Sequence, residues 1–234
     1  MNDDSLMLVD AHIHTAGISF CSQVPADRLV RLCADEGLDA IVLTNHCKSA
    51  FVEIPYRDWV KRYVEEYETT RALGAQIGLK VFFGIEVTPD CMRRNDFTIY
   101  GLTEDDLLDS PALYELSLED LSRYAHEHNA LFYHAHPFRK TEPVDASFLD
   151  GTEINCHPLY RTCAEAAVRA FADEHGLRLS CGSDYHGDTY KPHCGMYVPR
   201  SIETTADFVE YIRENRRPPL LVAPDPLPDQ DVSI

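Results

Sequence analysis

Leu6-Met-Leu-Val-Asp-Ala-His-Ile-His14 is the stretch that decides how this chain folds. Its first six residues are largely apolar and predict a buried strand, and two histidines stand at the carboxyl end of that strand. Because side chains at positions i and i+2 of a strand point to the same side, His12 and His14 can bind one metal ion together. Parallel α/β barrels place their active sites at this end of their strands.

Four further segments follow short apolar runs and contain residues that can bind metals. They are Asn45-His46, Glu86, His134-Ala-His136-Pro137 and Asp184-Tyr-His186. The apolar runs at 39–44, 79–83, 130–133 and 177–181 predict strands. One histidine of the 11 would carry little weight by itself. Ligands that are delivered strand by strand, in chain order, predict a site for several metals at one rim of a barrel.

Strands and helices alternate at least six times, which favours parallel βαβ units. Helices are predicted at 25–36, 56–76, 117–129, 160–175 and 205–215, and further strands at 96–100 and 151–155. For 234 residues this pattern favours one closed or nearly closed barrel domain. A doubly wound open sheet is the alternative, but no Gly-x-Gly-x-x-Gly or Walker lysine motif supports it. Prolines at 218, 219, 224, 226 and 228 place the domain at 1–217 and a Pro-rich tail at 218–234.

The formal net charge is −18, from 21 basic and 39 acidic residues. This disfavours a nucleic-acid polymer as partner, because duplex binding uses clustered Lys and Arg. It leaves a small anionic substrate open, because bound divalent cations reverse the local potential.

The eight cysteines are scattered, with no Cys-x-x-Cys pair. We find no N-terminal signal pattern and no apolar run near the ~20 residues that span a bilayer. We therefore expect a reduced, cytoplasmic protein that is not in a membrane. The sequence gives no indication of its oligomeric state.

The ligand types limit the choice of metal. Mixed imidazole and carboxylate ligands suit Zn, Mn or Fe. The lack of a cysteine cluster in the sequence argues against a structural zinc site.

Six motifs stand in order along the chain. They are Asp10-Ala-His-Ile-His-Thr15, Leu43-Thr-Asn-His46, Gly84-Ile-Glu86, His136-Pro-Phe-Arg139, Glu153-Ile-Asn155 and Gly182-Ser-Asp-Tyr-His186. This series, which covers roughly residues 6 to 187, resembles the motifs of the PHP (polymerase and histidinol phosphatase) family. The resemblance rests on the order of the motifs. It implies a distorted seven-stranded (β/α)7 TIM-like barrel, with two or three divalent metals at the carboxyl strand ends and a phosphoesterase activity.

The resemblance also implies three metal positions. The first is held by His12, His14, Glu86 and Asp184. Glu86 bridges to the second metal, which His136 also binds, and His46 and His186 serve the third.

The chain departs from the family pattern at three places. Ser19 stands about five residues after the second histidine of the opening motif, where the family often has Asp. Asn45-His46 stands where the family often has Asp-His. Many members carry another His near 96–100, and the candidates to replace it here are Asp96, His134 and His157.

The predicted reaction is hydrolysis of a small phosphomonoester of the sugar phosphate or nucleotide type. Metals would lower the pKa of bound water, and the metal-bound hydroxide would attack phosphorus in line with the leaving oxygen. Arg139 is the candidate phosphate clamp, since its planar fork matches two phosphate oxygens. Candidates of lower weight are Arg93, Arg94 and Arg161. Protonation of the leaving group falls to His157, His186 or a metal-bound water.

Two alternatives stay open. One is a phosphodiesterase or nuclease-like hydrolase on the same scaffold. The other is a non-catalytic metal-binding regulatory protein whose site has partly decayed, which the departures from the family pattern motivate.

Overall fold

The computed structural model describes residues 5–158, 164–187 and 190–223, which form ten strands and six α-helices. The strands are β1 (Leu6–Ile13), β2 (Ala40–Leu43), β3 (His46–Cys47), β4 (Lys80–Val87), β5 (Asp96–Tyr100), β6 (Leu131–Ala135), β7 (Gly151–Asn155), β8 (Arg178–Gly182), β9 (Gly195–Pro199) and β10 (Leu220–Leu221). The helices are α1 (Ala26–Asp35), α2 (Tyr56–Ile77), α3 (Glu104–Leu108), α4 (Leu118–Glu127), α5 (Ala164–His175) and α6 (Thr205–Glu214). The predicted helix start at 160 and Arg161 lie outside the described residues.

The strands form one mixed sheet in the order β10-β9-β1-β2-β4-β5-β6-β7-β8, with β3 paired to β4. Pairs that involve β5, β9 or β10 are antiparallel, and the other pairs are parallel. Ile13 forms a parallel bridge with Tyr185, and the Asp184 backbone N–H donates to the His12 carbonyl at 2.8 Å. These contacts join β1 to the segment after β8, so that the sheet is a nearly closed barrel.

The α/β class is confirmed, but the predicted ring of seven parallel strands, (β/α)7, is not. Only residues 88–95 lie between β4 and β5, whereas a parallel crossover needs a dozen residues or more. The chain therefore turns back, and β5 pairs antiparallel with both β4 and β6. The sequence also missed β3, β9, β10 and α3. Strands β3 and β10 have two residues each, which is too few to show the period of a strand.

Helix α2 supports the strand ends that carry the predicted ligands. Its aromatic residues Trp59, Tyr63 and Tyr67 are buried. The Tyr63 hydroxyl donates to the carbonyl of Gly84 at 2.7 Å and also contacts the carbonyl of Asn45 at 3.2 Å. The helix is thereby tied to β4 and to the residues that follow β2.

Other predictions concern the ends and the environment of the chain. Within the described residues, no helix is long and apolar enough to cross a membrane. Leu220 and Leu221 pair with β9, although the sequence assigned them to the tail. The boundary at 217/218 and the cytoplasmic location stay predictions, and residues 224–234 lie outside the described part.

Candidate metal centre

Five predicted ligands meet at one rim of the barrel. They are His12 and His14 at the end of β1, Glu86 near the end of β4, His136 after β6 and Asp184 after β8. The four strands run in the same direction, so their carboxyl ends share this rim. All five side chains are buried. Residues that are up to 172 positions apart in the chain thus form one cluster beneath the surface.

The first predicted metal position is compact. The Nε2 atoms of His12 and His14 lie 3.0 Å apart. Glu86 Oε1 is 3.3 Å from His12 Nε2, and Asp184 Oδ1 is 3.1 Å from His14 Nε2. Two imidazoles and two carboxylates therefore direct their ligand atoms at one small volume.

The second predicted position shares Glu86 with the first. His136 Nε2 lies 3.0 Å from Glu86 Oε1 and 3.7 Å from Asp96 Oδ2. Asp96 is the first residue of β5, and the reversed direction of that strand brings it to the same rim. His134 instead stacks on Phe97, with 5.2 Å between the ring centroids. Among the residues considered to replace the missing histidine, Asp96 therefore has the best position.

The third predicted position lies next to the second carboxylate oxygen of Glu86, Oε2. His46 and His186 approach each other with their Nε2 atoms 3.2 Å apart. The Nδ1 atom of His46 contacts Glu86 Oε2, and Nδ1 of His186 donates to the Asp184 carbonyl at 2.7 Å. The His14 ring packs against both rings, with its centroid 4.3 Å from that of His46 and 4.2 Å from that of His186.

The hydrogen bonds around the first position show that it fits a divalent cation. His12 Nδ1 lies 2.9 Å from Glu153 Oε1, which can only accept when ionised. His14 Nδ1 lies 3.2 Å from Ser19 Oγ. If each Nδ1 carries the proton, both neutral rings present acceptor nitrogens to each other at 3.0 Å. Such a contact needs either a cation or a proton between the two nitrogens, and outer hydrogen bonds of this kind hold the ring orientation of metal ligands.

Ser19 and Asn45, two of the departures from the family pattern, belong to this outer layer. The Ser19 hydroxyl donates to Asn45 Oδ1 at 2.9 Å. Its oxygen then accepts from the His14 ring and from the His46 backbone N–H at 3.0 Å. Asn45 is fixed in turn by Thr15, whose backbone N–H donates to Asn45 Oδ1 at 2.8 Å. Ser19 and Asn45 therefore help to hold His14 and His46 in place, which argues against loss of the metal site at these two positions.

Two of the ligand residues have a strained backbone. His136 has φ of 34° and Asp184 has φ of 52°, a region that residues other than glycine rarely occupy. Such conformations persist where the surrounding structure enforces them, and they occur often at functional sites. Here they turn the side chains after β6 and β8 inward over the barrel.

Comparison with known proteins agrees with this architecture. No protein-family model and no curated protein matches the sequence. Among solved structures, a two-domain protein from Bacteroides vulgatus, described as containing a predicted PHP-like metal-dependent phosphoesterase, is similar with a TM-score of 0.68 at 18% identity. The match covers 93% of this chain and 65% of that protein, so the chain spans less than two thirds of its length. This chain shares its fold with a PHP-like phosphoesterase.

Two further structures have the same fold. PsfC from Pseudomonas syringae matches with a TM-score of 0.69 and 19% identity, over 94% of this chain and 92% of PsfC. An amidohydrolase from Chromobacterium violaceum, with bound sulfate and no metal, matches with a TM-score of 0.58 and 15% identity. That match covers 87% of this chain and 96% of the amidohydrolase. At these identities the likeness establishes the fold, and the chemistry has to be argued from the site.

The carboxylates of the candidate centre are held in their ionised form. Burial opposes the ionisation of Glu86, but the charges of His46 and His12 outweigh it and hold its pKa well below the usual range. Burial opposes the ionisation of Asp184 as well, and Arg139 and His12 lower its pKa well below the usual range. Both carboxylates are therefore available to a cation at neutral pH.

The two imidazoles of the first position have opposite tendencies. Burial and the neighbouring rings of His186 and His46 lower the pKa of His14 well below its ordinary value, which keeps its ring neutral. Burial also disfavours a charged His12, but Glu153 and other carboxylates raise its pKa well above the ordinary value. Binding of a cation at His12 must therefore displace a proton.

Arg139, the predicted phosphate clamp, contacts the centre itself. Its Nη1 lies 2.7 Å from Asp184 Oδ2, and its Nη2 donates to Asn155 Oδ1 at 2.5 Å. The guanidinium thus holds the Asp184 carboxylate with its other oxygen towards His14. Contact with a substrate phosphate stays a prediction.

A cleft of about 340 Å³ opens above the centre. The basic residues that line it are Lys48, Arg93, Arg139 and Lys140. Arg94 instead donates to the Lys140 carbonyl at 2.8 Å. A larger groove of about 610 Å³ lies around Arg71, Phe83 and Thr204 and contains none of the predicted ligands. The smaller cleft is therefore the candidate substrate site.

His157 and His186, the two candidates for leaving-group protonation, both line the cleft. Burial lowers the pKa of His157 to about 4, so its ring is neutral near pH 7 and poorly suited to act as a general acid. Burial also disfavours charge on His186, but contacts with Cys21 and Asp184 raise its pKa. His186 is the better proton donor of the two.

Sequence reasoning missed two residues of the site. Glu153 lies in one of the family-like motifs but received no role, although it also accepts from the His136 backbone N–H at 3.0 Å. Its signal was an acidic residue in the middle of a short predicted strand. Cys21 lines the cleft together with His46 and His186, and nothing in its sequence neighbourhood indicates this. Burial opposes its ionisation, but the nearby rings of His186 and His46 lower the pKa of the thiol to about 6.

Proposed function

We propose that this chain is a metal-dependent phosphoesterase that hydrolyses a small phosphomonoester of the sugar phosphate or nucleotide type. The observation that carries the proposal is the convergence of His12, His14, Glu86, His136 and Asp184 below one cleft. Oxygen and imidazole ligands of this kind suit Zn, Mn or Fe, and we expect two or three cations.

The charges around the cleft support an anionic substrate. The chain carries a net charge of −18, yet four of the residues that line this cleft are Lys or Arg. Basic residues at that position favour a phosphate over a neutral amide, although a similar fold occurs in an amidohydrolase. The volume of about 340 Å³ is near the lower end of small-molecule sites and suits a compact substrate.

The chemistry is divided between the cations and the side chains. Divalent cations at this centre would supply Lewis acidity that activates water and offsets charge on the phosphoryl oxygens. Glu153 and Ser19 hold the imidazoles of His12 and His14, and Arg139 holds Asp184. His186 can give a proton to the leaving oxygen only while no cation is bound to its Nε2, whereas His157 can accept one. Preorganised charges of this kind are the main source of rate in phosphoryl transfer.

A decayed regulatory site is less consistent with these contacts. Ser19 is buried and hydrogen-bonded to His14 and His46, and Asn45 is buried and hydrogen-bonded to Ser19. A site released from selection for metal binding has no reason to keep such a network. We therefore favour an enzyme over a non-catalytic regulator.

The proposal can be tested with purified protein reconstituted with Zn, Mn or Fe(II). We expect release of phosphate from some members of a panel of sugar phosphates and nucleoside monophosphates, and loss of that release with a chelator. Bis(p-nitrophenyl) phosphate, short single-stranded DNA and simple amides complete the panel. Cleavage of the diester alone would support the phosphodiesterase alternative. Protein that binds metal but is inactive on the whole panel would contradict the proposal and favour a regulator.

A further inference from the structure

Three buried cysteines meet at the place where the two ends of the sheet come together. Cys156 directly follows β7, Cys181 lies in β8 and Cys194 directly precedes β9. The three residues are at most 5% exposed, and their Sγ atoms all lie within 4.8 Å of one another. Because they come from three separate segments, their spacing in the sequence did not indicate a cluster.

The cluster joins elements that no backbone hydrogen-bond ladder connects. The sheet begins at β10 and ends at β8, so these are its two edge strands. The Cys181 thiol on β8 donates to the Leu221 carbonyl on β10 at 3.6 Å. The Cys156 backbone N–H donates to the Gly182 carbonyl at 2.8 Å, which fixes the end of β7 against β8. A ligand held by all three sulfurs would therefore connect the two edges of the sheet.

The distance between the sulfurs fits binding of a shared cation. Cys156 Sγ and Cys181 Sγ lie 3.7 Å apart. This is much longer than a disulfide bond of about 2.05 Å. It is close to the ~3.8 Å that separates two sulfurs bound to one tetrahedral zinc at ~2.3 Å each. Thiols are weak hydrogen-bond donors, so a cation bound by all three sulfurs would stabilise the cluster far more than their contacts with one another.

We propose that Cys156, Cys181 and Cys194 form a structural site for a thiolate-binding cation, zinc or copper(I), at the junction of the two sheet edges. Three sulfur ligands select these ions over Mn or Mg, which prefer oxygen. The site is separate from the candidate metal centre, whose predicted ligands are imidazoles and carboxylates. Binding replaces the thiol protons, which are released. With zinc, three thiolates leave one buried negative charge, whereas three thiolates without a cation would be too costly to bury.

Cobalt(II) tests the zinc form of the site, because cobalt–thiolate bonds give a near-ultraviolet charge-transfer band that nitrogen and oxygen ligands do not give. We expect this band when cobalt(II) is added to the reduced wild-type chain, and zinc should displace the cobalt and remove the band. Cys181→Ala should lose the band and retain one cobalt fewer per chain after dialysis against a weak chelator. Cys156→Ala should behave in the same way, and it provides the test if Cys181→Ala does not fold.

Two control variants locate the band within the molecule. Cys33→Ala removes a buried thiol outside the cluster. Cys21→Ser removes the thiol that lines the cleft above the candidate metal centre. Both variants should keep the band at wild-type intensity. A band that disappears in Cys21→Ser, or one that survives both Cys181→Ala and Cys156→Ala, would overturn the assignment.

Copper(I), added without oxygen, tests the other form of the site, because copper(I) bound by thiolates away from water emits visible light. A chain that shows no cobalt band but binds one copper(I), with an emission that Cys181→Ala loses, would identify a copper site. A wild-type chain that shows neither signal would overturn the proposal. So would a native protein in which two of the eight thiols are missing from a thiol count after denaturation, because they would form a disulfide.

The structural role is tested by the Tm. Loading with the bound cation should raise the Tm of wild type by more than that of Cys181→Ala, because only wild type joins the two sheet edges through the metal. Equal rises in both proteins would contradict a structural role. None of these measurements depends on release of phosphate, so this proposal and the phosphoesterase can fail independently.

Discussion

Glu86 contacts imidazoles from three separate segments of the chain. Its Oε1 lies 3.0 Å from His136 Nε2 and 3.3 Å from His12 Nε2, and its Oε2 contacts His46. No other carboxylate among the described residues joins all three predicted metal positions in this way. Its single negative charge therefore affects every cation of the centre.

Glu86→Gln should lower both metal content and turnover. The amide keeps the shape of the side chain but loses the charge, and its NH₂ group turns a donor towards ligand atoms. We expect roughly a 100-fold loss of turnover or more, since changes to groups that only support ligands already cost 10–100-fold. Metal analysis and phosphate release measure the effect. The matched variant Glu65→Gln, on the exposed face of α2, should behave as wild type, and a Glu86→Gln protein with full metal and rate would remove Glu86 from the site.

Ser19→Ala should weaken metal binding without removing a metal ligand. It deprives His14 Nδ1 and the His46 backbone N–H of their shared acceptor. We expect a 10- to 100-fold loss of metal affinity, as for other outer-layer partners of ligating histidines. Competition with a fluorescent chelator measures the affinity, with exposed Ser201→Ala as the control. Equal affinities in both variants would show that the His14 ring is held by other contacts.

Most of the strands were predicted from the sequence, as was the rim of the barrel at which the ligand residues lie. β5 and β7 have the predicted bounds. The direction of β5 could not be predicted from its own residues, since it is set by the short connection at 88–95. That reversal is also why Asp96, at the start of a strand, reaches a site built from strand ends.

Strand β6 carries a second histidine whose burial predicts a pH effect on stability. His134 is 2% exposed, and burial lowers its pKa to about 3. In the unfolded chain its pKa is about 6.5, so below that pH the unfolded state binds a proton that the folded state excludes. Stability should therefore fall as the pH drops from 6.5 towards 3, by about 2 kcal/mol at pH 5 from this residue.

Urea unfolding at pH 5 and pH 7.5 measures this effect, with chelator present in all samples so that metal release does not contribute. His134→Gln should shrink the difference in unfolding free energy between the two pH values by about 2 kcal/mol. Any change in stability that the substitution causes equally at both pH values cancels in this difference. The exposed His193→Gln should leave this difference unchanged. The same difference in unfolding free energy in wild type and both variants would contradict the predicted effect of burying His134.

For the whole molecule, the ligand types were predictable and the contacts between distant segments were not. The spacing of His12 and His14 at the end of a predicted strand indicated that they are metal ligands. The contacts of Glu153 with His12 and of Asp184 with His14 join segments far apart in the chain, and they exist only once the barrel closes. The same separation means that the unfolded chain does not contain the metal centre, so metal binding is coupled to folding.

Removal of metal should therefore destabilise the entire chain. A ligand that binds only the folded state adds about 2.7 kcal/mol at a free concentration 100 times its Kd. For a chain of 234 residues this corresponds to a Tm lower by roughly 5–10 °C after chelation, at about 2–4 °C per kcal/mol. Differential scanning fluorimetry with and without EDTA measures the shift, which should return on addition of Zn or Mn. Glu86→Gln should have the low Tm already and show little further change with EDTA, because its ligands no longer retain the cations. If metal-loaded wild type kept its Tm in EDTA while elemental analysis showed the metals gone, the ligands at the strand ends would have to be preformed and held by the barrel alone.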